Sequence, residues 1–238
     1  MSHGRFAQGF FVDRDRPHIF HRDYWILRAL RDSIRDFLRD HAAELRGKTA
    51  LDFGAGDSPY EPAFAAAGIT LLRADIEQLR PDTLLIDANT GRVPLDDGSV
   101  DAVISTQVLE HLADPPAYLA EAARLLKPNG LLYLTTHGAF VRHGHPRDYR
   151  RWMIEGLQHE LESAGFVVEK IEPKIGILAT STHLRSILFG ALTRRIPGTG
   201  WLRPIIYFCF NIRMAVEDFI TPKSAMDFQP ELLIASAR

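Results

Sequence analysis

The chain has 238 residues, 46% of them hydrophobic and 24% charged, with a formal net charge of −2. That length can bury one sizeable core, and the composition and charge exclude a disordered chain, a membrane bundle and a general nucleic-acid binder. A single cysteine, Cys209, excludes an internal disulfide or a cysteine-rich zinc site; with no apolar leader and no bilayer-length run, the expected location is the cytoplasm.

Residues 1–22 are polar with scattered aromatics and predict an irregular arm. From Asp23 to about Leu45, Leu27, Leu30, Ile34, Leu38, His41 and Leu45 recur every three or four positions, which predicts one helix covering an end of a sheet and stopping at Gly47. Residues 1–47 therefore read as an arm and cap helix. The run 49–53 predicts a buried strand through Asp52, followed by Gly54, Ala55 and Gly56 and a helix from Pro59 to Ala67. Glycine suits such a turn because it accepts positive φ and leaves room for a ligand against bare backbone. The helix start beyond it offers unpaired N–H groups to an electron-rich atom.

A second strand, 69–74, ends in Asp75, placed where nucleoside-binding folds put an acid for ribose hydroxyls. A short third strand, 83–86, runs into Asp87 and Ala88; after a turn at 94–99, a fourth covers 102–105 and leads to Gln107, Glu110 and His111. Asp114 is placed to cap a helix over 115–127, with Pro115 and Pro116 in its first turn. Lys127 to Gly130 predicts a turn into a fifth strand, 131–136, and then a loop over 137–149 that carries His137, His143, His145, Arg147, Asp148 and Tyr149. A helix over 151–164, a sixth strand at 166–171 and a seventh at 231–236 complete the pattern. Strands alternating with helices predict a mostly parallel α/β sheet, its core being 48–172 plus 231–238.

Taken together, the run from Leu51 to Gly56, the acid Asp75, the pair Asp87 and Ala88, the segment Asp101 to Leu112 and the turn Leu126 to Gly130 resemble class I S-adenosylmethionine-dependent methyltransferases, and most closely the type-11 domain branch. The resemblance implies a Rossmann-like sheet of seven strands, one of them antiparallel, with S-adenosyl-L-methionine lying across the carboxyl ends of the first four. It implies that Asp52, Gly54, Ala55 and Gly56 hold the methionine end of the cofactor and that Asp75 accepts the ribose hydroxyls. Ile76 would pack on the adenine, Asp87 and Ala88 would meet its edge, and Gln107 would lie near the sulfonium. A dehydrogenase use of similar glycines would want a third at position 59, where the chain has Pro59.

Methyl transfer from a sulfonium needs alignment of nucleophile, methyl and sulfur, and a hydroxyl acceptor also needs a base. His137, directly after strand five, is the first candidate for that base and His145 the second. Tyr149 and Trp152 are placed to shape an acceptor pocket, with Arg147 to hold an anionic group. The core chemistry needs no metal, and the histidine spacing alone supplies no ligand geometry, so none is expected.

Between strands six and seven lies an insertion over 173–230, predicted to form two helices at 181–194 and 202–219, broken at Pro197 and Gly198. It holds no acidic residue from Pro173 to Val216, against Lys174, Arg185, Arg194, Arg195, Arg203 and Arg213. Three uses remain open: a lid or homodimer surface, peripheral contact with anionic lipid at the inner face of a membrane through 181–219, and a basic wall for a phosphorylated or lipid-linked acceptor. The expected activity is O-methylation of a sugar, nucleotide-sugar or glycan-type acceptor. The alternatives are methylation of a lipid-like or aromatic small molecule at a membrane surface, and a binding protein that has lost catalysis.

Overall fold

The structure, a computed structural model, describes residues 14–144 and 147–238. Seven strands form one sheet: β1 (Thr49–Phe53), β2 (Thr70–Asp75), β3 (Leu84–Leu85), β4 (Val100–Thr106), β5 (Leu126–His137), β6 (Val168–Lys174) and β7 (Leu232–Ala237). Their order across the sheet is β3-β2-β1-β4-β5-β7-β6. The pairs from β3 through β5 are all parallel, and β7 runs antiparallel to both β5 and β6. The order reverses direction at β1, so the crevice for a ligand lies at the carboxyl ends of β1, β2 and β4.

Helices cover both faces: α1 (Tyr24–Asp40), α2 (Ala42–Leu45), α3 (Glu61–Ala66), α4 (Pro115–Leu125), α5 (Ile154–Ser163), α6 (Ile177–Thr193) and α7 (Leu202–Ile220). On one face Leu119, Leu125, Leu157 and Leu161 of α4 and α5 pack on Leu51, Val103 and Leu132. On the other, Leu30, Ile34 and Phe37 of α1 pack on Ala50, Ile104 and Tyr133, joined by Ala179 of α6 and Met214 of α7. Strand residues alternate between these two clusters, as the pleat requires of a sheet buried on both sides.

Most element ends lie within two or three residues of the sequence reading, and four differences have a structural cause. The N-terminal helix breaks at His41, whose backbone leaves the helical range, so α2 is a separate turn. The turn at Lys127 to Gly130 is absorbed into β5, and the β4–β5 register shifts across it, with Asn129 at a φ of 62°. Strand β6 runs on through Pro173, which an edge strand tolerates because one side of its backbone needs no partner. Helix α6 begins at Ile177 rather than 181, because its first turn carries Ala179 and Thr180, which give no periodic apolar signal. Asp114 caps α4 as expected, its carboxylate accepting from the Ala117 N–H at 3.1 Å.

The arm and the insertion, read separately from sequence, are tied to each other. The Asn211 side-chain amide of α7 donates to the Ile19 and His21 carbonyls at 2.6 and 2.9 Å, and the Trp25 indole N–H donates to the Asn211 carbonyl at 2.9 Å.

Candidate functional site

The glycine turn after β1 is built as its residues demand. Gly54 and Gly56 have φ of +82° and +53°, and the N–H groups of Gly54 and Ala55 both donate to the Ala74 carbonyl of β2, at 2.8 and 3.1 Å. The Gly56 N–H donates to Asp75 Oδ2 at 2.8 Å, and the Glu77 N–H to Oδ1 at 3.1 Å, so the acid at the end of β2 also holds the turn. A Cβ on Gly54 would lie 2.5 Å from a methyl of Val108, which follows β4. Gly54→Ala is therefore expected to lower stability by about 1–3 kcal/mol, from the left-handed backbone and the clash together. Denaturant unfolding measures this, and an unchanged midpoint would show that the turn relaxes freely.

Asp52 is buried; its Oδ2 accepts from the Ser58 hydroxyl at 2.7 Å, whereas its Oδ1 has no partner among the described residues. Burial pushes its carboxyl up to about 6. A carboxylate with a vacant, water-shielded oxygen suits a ligand ammonium, which would restore its ionised form. Gln107, just past β4, has a φ of 58° and a buried Oε1 without a partner among the described residues, while its Nε2 donates to Thr135 Oγ1 at 3.0 Å.

Beside β2 and β3 an open depression of about 650 Å³ is lined by Ile76, Leu85, Ile86, Asp87, Ala88 and neighbouring residues. The exposed Ile76 offers an apolar flank there. Asp87 Oδ1 accepts three bonds from within its own turn: the Asn89 N–H, the Thr90 N–H and the Thr90 hydroxyl, at 2.8–2.9 Å. Those Thr90 and Asn89 bonds hold its carboxyl below the usual range. The turn is thus fixed before any ligand arrives. One residue escaped the sequence reading altogether: Tyr118 of α4 stacks on Phe53 at 4.1 Å, donates its hydroxyl to the Phe53 carbonyl at 2.8 Å and lies 2.8 Å from Ser105 Oγ. It pins β1 to β4 directly beneath the glycine turn, and nothing in its helical spacing marks it.

Across from this depression, the end of β5 gathers imidazoles. His137 is buried, stacks on Phe140 at 4.3 Å and meets the His143 ring edge-on at 4.9 Å. Its Nε2 lies 3.8 Å from Oε1 of Glu110, a wholly buried carboxyl whose other oxygen accepts from the Thr136 hydroxyl at 2.9 Å. Burial lowers His137 to about 3 and raises Glu110. His143 is half-buried and differently supported. Its Nδ1 faces two acceptors, the Val141 carbonyl at 3.3 Å and Asp148 Oδ2 at 3.4 Å, which assigns the proton to Nδ1 and leaves Nε2 as a lone-pair acceptor. Asp148 is itself held ionised by Arg151, at 2.5 and 2.6 Å. Glu110, His137 and His143 bring one donor atom each within 4.8 Å of one another, a set that could hold a divalent cation where the spacing of histidines had suggested none.

The structure thus brings Asp52, Gly54, Ala55, Gly56, Asp75 and Gln107 to one edge, with Ile76, Asp87 and Ala88 around the adjoining depression. His137 sits deeper than a base needs to be, and His143 is the more accessible imidazole. His145 lies outside the described residues. Arg147 and Tyr149 are exposed, the Arg147 guanidinium 3.4 Å from the Tyr149 hydroxyl and its carbonyl 2.5 Å from His111 Nδ1. Trp152, expected to shape an acceptor pocket, is instead buried in the core with Leu157 and Phe166, and its backbone N–H donates to the His137 carbonyl at 3.0 Å. A long polar loop must be anchored where it rejoins the helix, and an indole does that by burial.

Comparison with known proteins agrees with this geometry. The model of a family described as a methyltransferase domain matches residues 22–170. A probable S-adenosylmethionine-dependent methyltransferase of Mycolicibacterium smegmatis is 25% identical over 248 residues, covering 94% of this chain and 93% of its own length. An uncharacterized 37.1 kDa protein of a Streptomyces fradiae transposon is 34% identical over 201 residues, and the match spans 71% of this chain but 58% of that protein. The crystal structure of a putative methyltransferase from Bacillus halodurans superimposes with a TM-score of 0.53 at 17% identity, covering 87% of this chain and 98% of that one, which speaks for the fold alone.

Proposed function

Because the chain belongs to the class I S-adenosylmethionine-dependent methyltransferases, we propose that it methylates a hydroxyl of a sugar, nucleotide-sugar or glycan-type acceptor, with His143 as the general base. The cofactor supplies a methyl group on a sulfonium, an already activated leaving group. Asp52 with the Gly54–Gly56 turn would hold its amino-acid end, Asp75 its ribose, and Ile76, Asp87 and Ala88 its base, as the vacant oxygen of Asp52 and the preformed turns favour.

The observation that carries the O-acceptor reading is the Asp148–His143 pair at the end of β5. A carboxylate behind Nδ1 orients the ring and stabilises the imidazolium, while Nε2 takes the acceptor proton as its oxygen becomes nucleophilic. The surrounding polar wall of His111, Arg147 and Tyr149 suits a hydroxylated acceptor better than an apolar one.

His143→Ala is expected to lower kcat by about 10²–10⁴ with cofactor affinity unchanged, read as S-adenosylhomocysteine formation over a panel of nucleotide sugars, glycans, phenols and lipids. Burial holds the His143 imidazole below 6.5, so the acid limb of the kcat profile should fall below pH 6.5. Wild-type turnover in the variant would remove His143 from the reaction, and turnover of phenols alone would overturn the sugar reading.

A further inference from the structure

Helices α6 and α7 are built inside out. The residues α6 buries are small or polar: Ala179, Thr180, Thr182, His183, Ser186 and Gly190. Its large apolar side chains face outward, with Leu188 56%, Phe189 47% and Leu192 46% exposed. Helix α7 buries only Asn211 and Met214, while Ile205, Val216 and Phe219 are 49%, 56% and 89% exposed. The connector between the helices adds Ile196 at 56% and Trp201 at 68%. The two helices are firmly paired, since Phe189 packs on Phe210 at 5.6 Å and Tyr207 fills the space that a side chain at Gly190 would need. This outward surface is therefore a formed one, carried on both helices and their connector, of the kind that marks an interaction site.

Charge decides what covers it. Within a chain of net charge −2, the stretch from Pro173 to Val216 carries six cations and no acid; Lys174 and Arg213 pair with Glu172 and Glu217, which leaves Arg185, Arg194, Arg195 and Arg203 with no carboxylate partner among the described residues. A two-fold contact with a second copy centred on the connector would set these four arginines against their own copies; the acids that follow on α7 are already engaged, Glu217 with Arg213 and Asp218 with the Gly176 N–H. An anionic lipid surface offers the complement to both features at once: acyl chains for the aromatic and aliphatic side chains, and phosphates for the arginines. No helix among the described residues is long and apolar enough to cross a membrane, so the hairpin is suited to lie on the surface.

We propose that the outward face of α6, α7 and their connector docks on an anionic bilayer. The segment lies beyond the residues that the methyltransferase family model matches. It also adjoins the acceptor side: β6 runs parallel to β5, so α6 rises from the catalytic edge, and the His183 ring lies 5.8 Å from that of Phe140, which stacks on His137. Docking there would present the acceptor site to a lipid-linked substrate, a consequence that rests on the proposed activity, whereas the docking itself does not.

The test is sedimentation of the full chain with vesicles of phosphatidylcholine alone and of phosphatidylcholine with phosphatidylglycerol. The expected result is binding to the anionic vesicles, weakened by high salt and at least about thirtyfold weaker when Arg194 and Arg195 are both changed to Glu. Trp201→Ser with Ile205→Ser should lose binding to a similar degree; all four positions are outside the core, so unchanged melting curves certify the fold of both variants. Equal binding to neutral vesicles overturns the role of charge. A chain left in the supernatant overturns the proposal, and a dimer that Trp201→Ser with Ile205→Ser dissolves would then name a second copy as the occupant. Vesicle binding without methyl transfer to any acceptor would leave the docking standing and remove the proposed activity.

Discussion

Replacing Asp75 by alanine is expected to weaken S-adenosylhomocysteine binding by about two to four orders of magnitude. The carboxylate is positioned at the end of β2, and its two oxygens are held by the Gly56 and Glu77 N–H groups. Two bonds from ribose hydroxyls to a charged acceptor contribute about 1.5–3 kcal/mol each, and each 1.4 kcal/mol is tenfold in affinity. The same substitution frees the Gly56 N–H, so the glycine turn loses its tether in the direction that also disfavours binding. Because the site is at the surface end of the strand, stability should fall by only about 1 kcal/mol. Calorimetric titration with melting curves separates the two effects. Affinity within a factor of about three of the wild type would show that the acid serves the turn and not the ligand.

The second large effect is on stability and lies away from the cofactor. His183 of α6 is wholly buried between two carboxylates, with Nδ1 at 2.5 Å from Glu231 Oε1 and Nε2 at 3.4 Å from Asp23 Oδ1. Burial alone would lower this imidazole, but the Glu231 and Asp23 charges outweigh it and push it up to about 9. Removing one member of a buried, hydrogen-bonded ion pair costs about 3–5 kcal/mol, so His183→Ala should lower the melting temperature by about 10 °C.

The pH dependence has a definite sign. The folded value lies above the ordinary 6.5, so the proton held by His183 stabilises fully below pH 6.5, and that contribution is lost as pH rises through about 9. Asp23 behaves oppositely: although burial would raise it, the neighbouring His183 charge and the bonds from Arg22 hold it below 3.8, so its contribution is present above that pH and lost in acid. Denaturant unfolding at pH 6 and pH 10 should therefore differ in the wild type and converge in His183→Ala. A variant that kept the full alkaline loss would place its origin elsewhere.

What could be read from the sequence divides by the range of the interaction. The glycine turn, Asp75, Asp87 and the cap at Asp114 are local devices, written in adjacent residues with fixed spacing, and the structure places each at the end of the element that carries it. The order of the central strands follows from alternation with helices and a handed crossover. The rest depends on partners far apart in the chain. Glu231 finds His183 across 48 residues, Asn211 finds Ile19 across 192, and Tyr118 reaches Phe53 across 65. No periodicity encodes such pairs. For the same reason His137, attractive for its position after β5, is less available than His143: its neighbours Glu110 and Phe140 bury it, and neither is signalled by the loop it opens. The insertion was visible in composition, but the inversion of α6, polar side in and apolar side out, needed the packing to reveal it.

The placement of β7 has a consequence for how the molecule is made. Its position between β5 and β6 means that β6 has no hydrogen-bonded neighbour until residues 232–237 exist. On the ribosome, β1 to β5 can assemble in order of synthesis, but β6 and the α6–α7 hairpin that follows it must wait, tethered and unpaired. Glu231, the last charge of the buried cluster, arrives with the same stretch. The nascent chain therefore carries β6 unpaired until β7 is made, and closing the sheet is a late, long-range event with the slow kinetics that such contacts impose.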